Sequence, residues 1–424
     1  MANRHYIHWA WVILGTCFMN IFINYSIQLG YALVLPQMIA DLHFTRTAAA
    51  TVFNAYLLSY IILTPFNGML TDRFGARLVI PACAFILGVG TILMGTVRSL
   101  WTAILCFTVV GIGSTGMWAP VVTVVQRWFS TKRRGLALGI LSSGCGIGFA
   151  TLAFVFPWLV SNYTWRYSWY ALGTGALIMV VVNALILRDD PDSLGLDPWG
   201  QELQGNPSYD IGYGSIDYAN PLVVLKQRTF WIIGLSYFCI CYSLYGITTF
   251  MVDYARFQLG LPLQKASFLA TVHGLGQVVG VLTITPLSDY LGRKNAIMIS
   301  NLFVTMCLGG ILLSGASWAM LYVFVGILAA FYGATFPMYG ACAGDYFPKE
   351  IMATVLGAWT PFYGIGAISA HWITGLLRDN MRNYTSGFLI NLVMAGLSLL
   401  LISAIKTSGG NEVNVTQEIK HHEP

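Results

Sequence analysis

The residues of this sequence with chemistry to offer are polar side chains standing inside long apolar stretches. His273 and Gln277 lie four residues apart in VHGLGQ, on one face of a helix, and Asn24 and Gln28 repeat that spacing. Aromatic groups accompany them: Tyr25, Trp118 beside Pro120, Tyr237, Tyr242 and Tyr245, Tyr332 with Phe336 and Tyr339, and Trp359 with Tyr363. In a low-dielectric setting such groups can hold a small molecule by neutral hydrogen bonds and ring contacts. His273 is the one mid-depth group that titrates near neutral pH, which makes it the candidate for exchanging a proton. Each also has a plainer reading. A lone Tyr or Trp packs or anchors at an interface, a single Asn bridges two helices, and a His can be held by a neighbouring helix.

Other chemistries find no support. The eight cysteines all sit in apolar runs without zinc spacing and read as small core residues, so no metal is expected. The glycines of spans 5, 8 and 11 follow no strand, and there is no GxxxxGK[ST], so no nucleotide cofactor is implied. No Ser/His or His/Asp constellation gathers at one depth, which argues against an enzyme.

Composition says what must position these groups. The chain has 424 residues, 56% hydrophobic and 9% charged, with a mean hydropathy of +0.67. Soluble domains carry about 25% charged residues, so this exterior cannot face water. A cytosolic enzyme, a nucleic-acid binder, a disordered chain and a disulfide-stapled secreted domain are excluded. The net charge of +5 is spread thinly between apolar blocks and forms no nucleic-acid stripe. The partner is the bilayer. Apolar runs of about 20 residues read as membrane-spanning helices. Twelve are present, near 9–38, 49–71, 78–97, 100–125, 135–160, 167–187, 229–252, 266–287, 294–314, 317–345, 352–376 and 384–406. The expected fold is all-α and integral to the membrane, with residues 1–187 and 229–406 as two six-helix bundles. Residues 188–228 form a polar loop between them, and 407–424 a tail. With both termini and the central loop cytoplasmic, 15 of the 22 Lys and Arg lie inside, which sets the orientation and points to the plasma membrane.

The halves repeat. GMLTDRFGARL follows span 2 and TPLSDYLGRKN follows span 8; aligning Asp72 with Asp289 also aligns Gly75 with Gly292. WFSTKRRGLALG after span 4 matches YFPKEIMATVLG after span 10 at nearly the same offset. Duplicated six-helix halves around a cavity are the architecture of a secondary transporter. Asp72, Arg73, Gly75, Arg77 and Arg134 in one half, with Asp289 and Arg293 in the other, are the candidate cytoplasmic gate. Asp72 can pair with Arg77 or with the N-terminus of a neighbouring helix.

These motifs resemble the signature of the major facilitator superfamily, over essentially the whole chain. RWFSTKRRGLALGI (127–140), TWRYSWYALG (164–173) and DPDSLGLDPWGQ (190–201) are similar to its monocarboxylate and oxalate/formate branch. The resemblance implies alternating access, with spans 5 and 8, and 2 and 11, crossing between the halves. It implies cargo contacts at Tyr332 and Phe336, and an arginine in span 8 where this chain has Val281. It implies an acid at Gln277 and a lysine at Tyr363. No charged side chain occupies a span centre. The expected cargo is a small organic acid or a compact polar molecule, held by Asn24, Tyr25, Gln28, Trp118, Tyr237, His273, Gln277, Tyr332, Phe336, Trp359 and Tyr363. Proton coupling through His273, plain exchange, and a non-transporting sensor on the same fold stay open, and a monomer is expected.

Overall fold

The computed structural model describes residues 8–43, 46–200, 221–315 and 317–405. The terminal tails, and residues 201–220 of the central loop, lie outside the described residues. Twelve long helices follow in chain order: α1 (Trp9–Leu42), α2 (Arg46–Phe74), α3 (Ala76–Gly95), α4 (Leu100–Trp128), α5 (Arg134–Asn162), α6 (Trp165–Ile186), α7 (Arg228–Asp253), α8 (Leu263–Leu291), α9 (Arg293–Leu313), α10 (Trp318–Tyr346), α11 (Met352–Met381) and α12 (Thr385–Ser403). Among the described residues there is no strand, only an isolated bridge between Phe129 and Trp199.

Packing repeats as the sequence does. α3 lies on α6 and α1 on α5 in the first half; α9 lies on α12 and α7 on α11 in the second. The same tight ending closes α2 and α8: Gly75 and Gly292 take φ of +84° and +79°, a region costly for any residue with a Cβ. Pro120 and Pro337 also occupy equivalent places. The first splits α4 into Leu100–Ser114 and Ala119–Trp128 around a 3₁₀ turn at Thr115–Met117, because proline supplies no N–H to the ladder. The second stays inside a continuous α10.

Over the described residues, ten helices hold a stretch long and apolar enough to cross a bilayer on composition alone. α2 has two unlike faces. Leu58, Ile62, Phe66, Leu70 and Phe74 make an exposed stripe at i,i+4 spacing, while Thr64, Asn67 and Thr71 are buried on the opposite side.

Between the halves α2 crosses α11 and α5 crosses α8, as expected. Several glycines of α5, α8 and α11 pack inside their own half instead. Gly276 and Gly280 face α10, Gly144 and Gly148 face α1, and Gly366 faces α7, all within one half. Gly146 and Gly364 do meet the other half. Approaches of a glycine to the backbone of the other half fall at Gly68 and Gly357, and at Gly135 and Gly139, nearer the loops. Small residues let any two helices approach, so their spacing alone does not say which pair.

Candidate functional site

A cavity of about 710 Å³ lies between the halves. Nine of the eleven expected residues line it. Tyr25 and Gln28 come from α1 and Trp118 from the break in α4; Tyr237 (α7), Gln277 (α8), Tyr332 and Phe336 (α10), and Trp359 and Tyr363 (α11) come from the other side. Val281 also faces it, so both positions where the branch carries cations are neutral wall here. No lining residue is charged. Tyr60, Ser142, Ser143, Thr271 and Thr360 join the wall without having been singled out; serines and threonines in apolar helices usually bond their own backbone and give no distinct signal.

Two expected residues stand outside the lining. Asn24 is buried, with its Oδ1 lacking a hydrogen-bond partner among the described residues. Four residues turn a helix by about 400°, and that drift with one turn of rise separates it from Gln28. His273 sits one layer back. Its Nδ1 meets Gln277 Nε2 at 3.4 Å, its ring packs edge-on against Tyr332 at 5.2 Å, and its Nε2 has no partner. Some lining groups have already spent their polar atoms: Trp359 Nε1 donates to the Phe230 carbonyl at 3.1 Å, and the Tyr245 and Tyr363 hydroxyls bond each other at 2.8 Å.

One end of the cavity is shut by a pseudo-symmetric pair of helix caps. Asp72, at the end of α2, accepts from the Ala353 and Thr354 N–H groups at 3.2 and 2.6 Å, at the N-terminus of α11. Asp289, at the end of α8, accepts from Gly135 and Leu136 N–H at 2.7 and 3.1 Å, at the N-terminus of α5. A carboxylate there satisfies orphan amides and meets the positive end of the helix dipole. Of the two partners open to Asp72, the helix N-terminus is the one it takes. Arg77 is exposed, and its backbone N–H donates to Asp189 at 2.9 Å. Arg73 is exposed over the Phe74 ring. Neither side chain joins the halves. Gly75 is needed for its turn and for the close approach of Asp189.

Arg134 and Arg293 converge on Asp345 from opposite halves, each at 3.0 Å, and Arg293 also holds Asp289 at 3.1 Å. Arg127 stands 3.9 Å from Asp72 and donates to the Lys349 carbonyl at 2.9 Å. Gln126 donates to the Gly340 carbonyl across the halves at 3.0 Å. Arg127, Gln126 and Asp345 were not singled out. The signal was available, since the repeat that matches Phe129 with Phe347 also matches Arg127 with Asp345, a charge reversal at equivalent positions. Every hydrogen bond between the halves among the described residues lies at this end.

The start of the central loop straps this closed end. Trp128 Nε1 holds the Arg188 carbonyl at 2.9 Å, and Asp190 meets Arg127 at 3.4 Å. Trp199 pairs backbone to backbone with Trp128 and Ser130, and its ring packs on Trp11 and Phe129.

Two pseudo-symmetric helical halves around a central cavity, gated at one end, define a membrane transport protein. The chain belongs to the Major Facilitator Superfamily, whose family model matches residues 14–266 and 233–420. It is 25% identical to the probable sulfoacetate transporter SauU of Cupriavidus necator, over 74% of this chain and 71% of that one. It is 24% identical to the membrane sensor protein UhpC of Salmonella typhimurium, over 95% and 92%. Human monocarboxylate transporter 12 is 22% identical over 94% and 80%.

Proposed function

We propose that this protein is a secondary transporter that carries a small organic acid of monocarboxylate type by alternating access. The supporting observation is an uncharged, aromatic-walled cavity between two halves that are latched at one end only. With the basic loops inside, the latched end is cytoplasmic and this state faces outward. Opening inward requires the Asp72 and Asp289 caps to release. A dianion meeting no countercharge in such a cavity is strongly disfavoured. A monoanion shared among neutral donors, or an acid entering with its proton, is not. The name of the monocarboxylate relative supports the acid reading. The lack of cations at Val281 and Tyr363 favours a second reading, a neutral or zwitterionic cargo.

His273 carries the proton-linked part of the proposal, through Gln277 and Tyr332. The test is uptake of labelled lactate, sulfoacetate and glucuronate by proteoliposomes under imposed pH and potential gradients. Lactate accumulation driven by an acid exterior is expected. Accumulation of none of the three, without exchange, overturns the acid reading and leaves a sensor or another cargo. Uptake of a neutral solute instead establishes the second reading.

A further inference from the structure

Each half holds a polar pair between its first and last helices, and the two pairs differ in one respect. In the first half Asn20 of α1 and Asn183 of α6 exchange side-chain amide bonds of 2.8 and 2.9 Å. In the second half Ser236 of α7 faces Ser398 of α12. Their hydroxyls lie 2.8 Å apart, and each also reaches the other's carbonyl, at 3.0 and 2.9 Å. Both pairs close the first helix of a half against its last. The asparagine pair contacts no cavity residue through its amides. The serine pair does: the Tyr339 hydroxyl lies 2.7 Å from Ser236 Oγ and 3.2 Å from Ser398 Oγ. Asn301 of α9 completes the cluster, its Nδ2 donating to Tyr339 at 3.2 Å and to Ser398 at 2.9 Å. All four residues are buried, and Tyr339 is the member that lines the cavity.

Ring geometry extends the tie. Tyr339 stacks on Tyr237 with centroids 4.8 Å apart and planes 25° from parallel, and Tyr237 stacks likewise on Tyr363 at 6.2 Å. Tyr363 is held in turn by its bond to Tyr245. Three wall rings therefore form one stack with a fixed hydroxyl at each end. The first half has a smaller counterpart: Tyr60 of the wall stacks on Tyr56 at 6.3 Å, while Tyr25 meets Trp118 edge-on at 6.5 Å.

We infer that Ser236, Asn301 and Ser398 are positioning residues for the cargo: by holding the Tyr339 hydroxyl they preform the Tyr339–Tyr237–Tyr363 wall against which cargo binds. The inference rests on the cavity being the cargo site. A wall ordered during folding spares binding the loss of ring freedom, an effect of roughly three- to tenfold in affinity per freed side chain.

The test uses lactate uptake in proteoliposomes. Asn301→Ala and Ser398→Ala are expected to raise KM about fivefold while the maximal rate changes less than twofold. Asn20→Ala, in the corresponding helix pair of the first half, is expected to lower thermal stability without moving KM. Equal KM effects from both halves, or none from either, would overturn the proposal. If wild-type protein takes up no lactate, the cargo reading fails separately, and a measurement without cargo decides this one. With 3-fluorotyrosine at Tyr237, the fluorine spectrum should show two slowly exchanging ring orientations in the wild type and one averaged line in Asn301→Ala. Identical spectra in both would sink it.

Discussion

Gln277 is the lining residue with the clearest single task. Gln277 lines the cavity while its Nε2 meets His273, so one side chain links the wall to an imidazole behind it. Gln277→Ala should raise the apparent cargo constant several-fold in uptake assays, at a cost on the order of 1 kcal/mol for one neutral hydrogen bond. His273→Gln keeps a polar side chain and removes the titrating ring. Acid stimulation of uptake should vanish while uptake itself persists; an unchanged pH profile would take the proton role away from His273. Because Val281 lies on the wall, Val281→Arg should shift selectivity toward anions in competition assays, and equal inhibition by neutral solutes would contradict that. At this scale much was legible. Spacing of three and four residues names helix faces, and polar atoms in lipid-soluble runs must meet something. What they meet was not legible. Asn20, paired with Asn183, and Asn24, whose Oδ1 has no partner among the described residues, look alike as letters; a tertiary contact 163 residues away separates them.

Helix ends, rather than helix centres, decide the conformational state. Each gate carboxylate caps the first turn of a helix in the opposite half, an interaction typically worth about 0.3–2 kcal/mol depending on burial. Asp72→Asn or Asp289→Asn should loosen the latch. The measurement is maleimide labelling of a cysteine at Gln277 in a cysteine-free background, added from the loop side, and labelling should quicken severalfold. Rates equal to the parent's would show that the caps do not hold this state. The repeat made both carboxylates and both turn glycines visible, since a duplicated motif fixes topology twice. It left the partner of Asp72 open, and the structure chose the helix terminus over Arg77. Glycine spacing was a poorer guide, because a missing side chain marks a close approach without naming the neighbour.

The whole molecule behaves as two bodies joined at one rim. A strap from the linking loop lies over that rim, and Arg127 is its node, touching Asp190, Asp72 and the Lys349 carbonyl together. Removing the strap's grip with Asp190→Ala plus Trp199→Ala should favour the inward-open form. Distance measurements between spin labels on the α2–α3 and α8–α9 loops should show a larger population at long separation; an unchanged distribution would make the strap passive.

The reciprocal amide bond between Asn20 and Asn183 bears on how the protein is made. The first helix enters the bilayer long before the sixth leaves the ribosome; until then Asn20 Nδ2 keeps the Thr16 carbonyl at 3.0 Å, but its Oδ1 lacks the Asn183 donor. That need gives α1 a reason to linger beside the insertion machinery, so the half would mature only once its final segment arrives, with α7 and α12 repeating the wait through their serines.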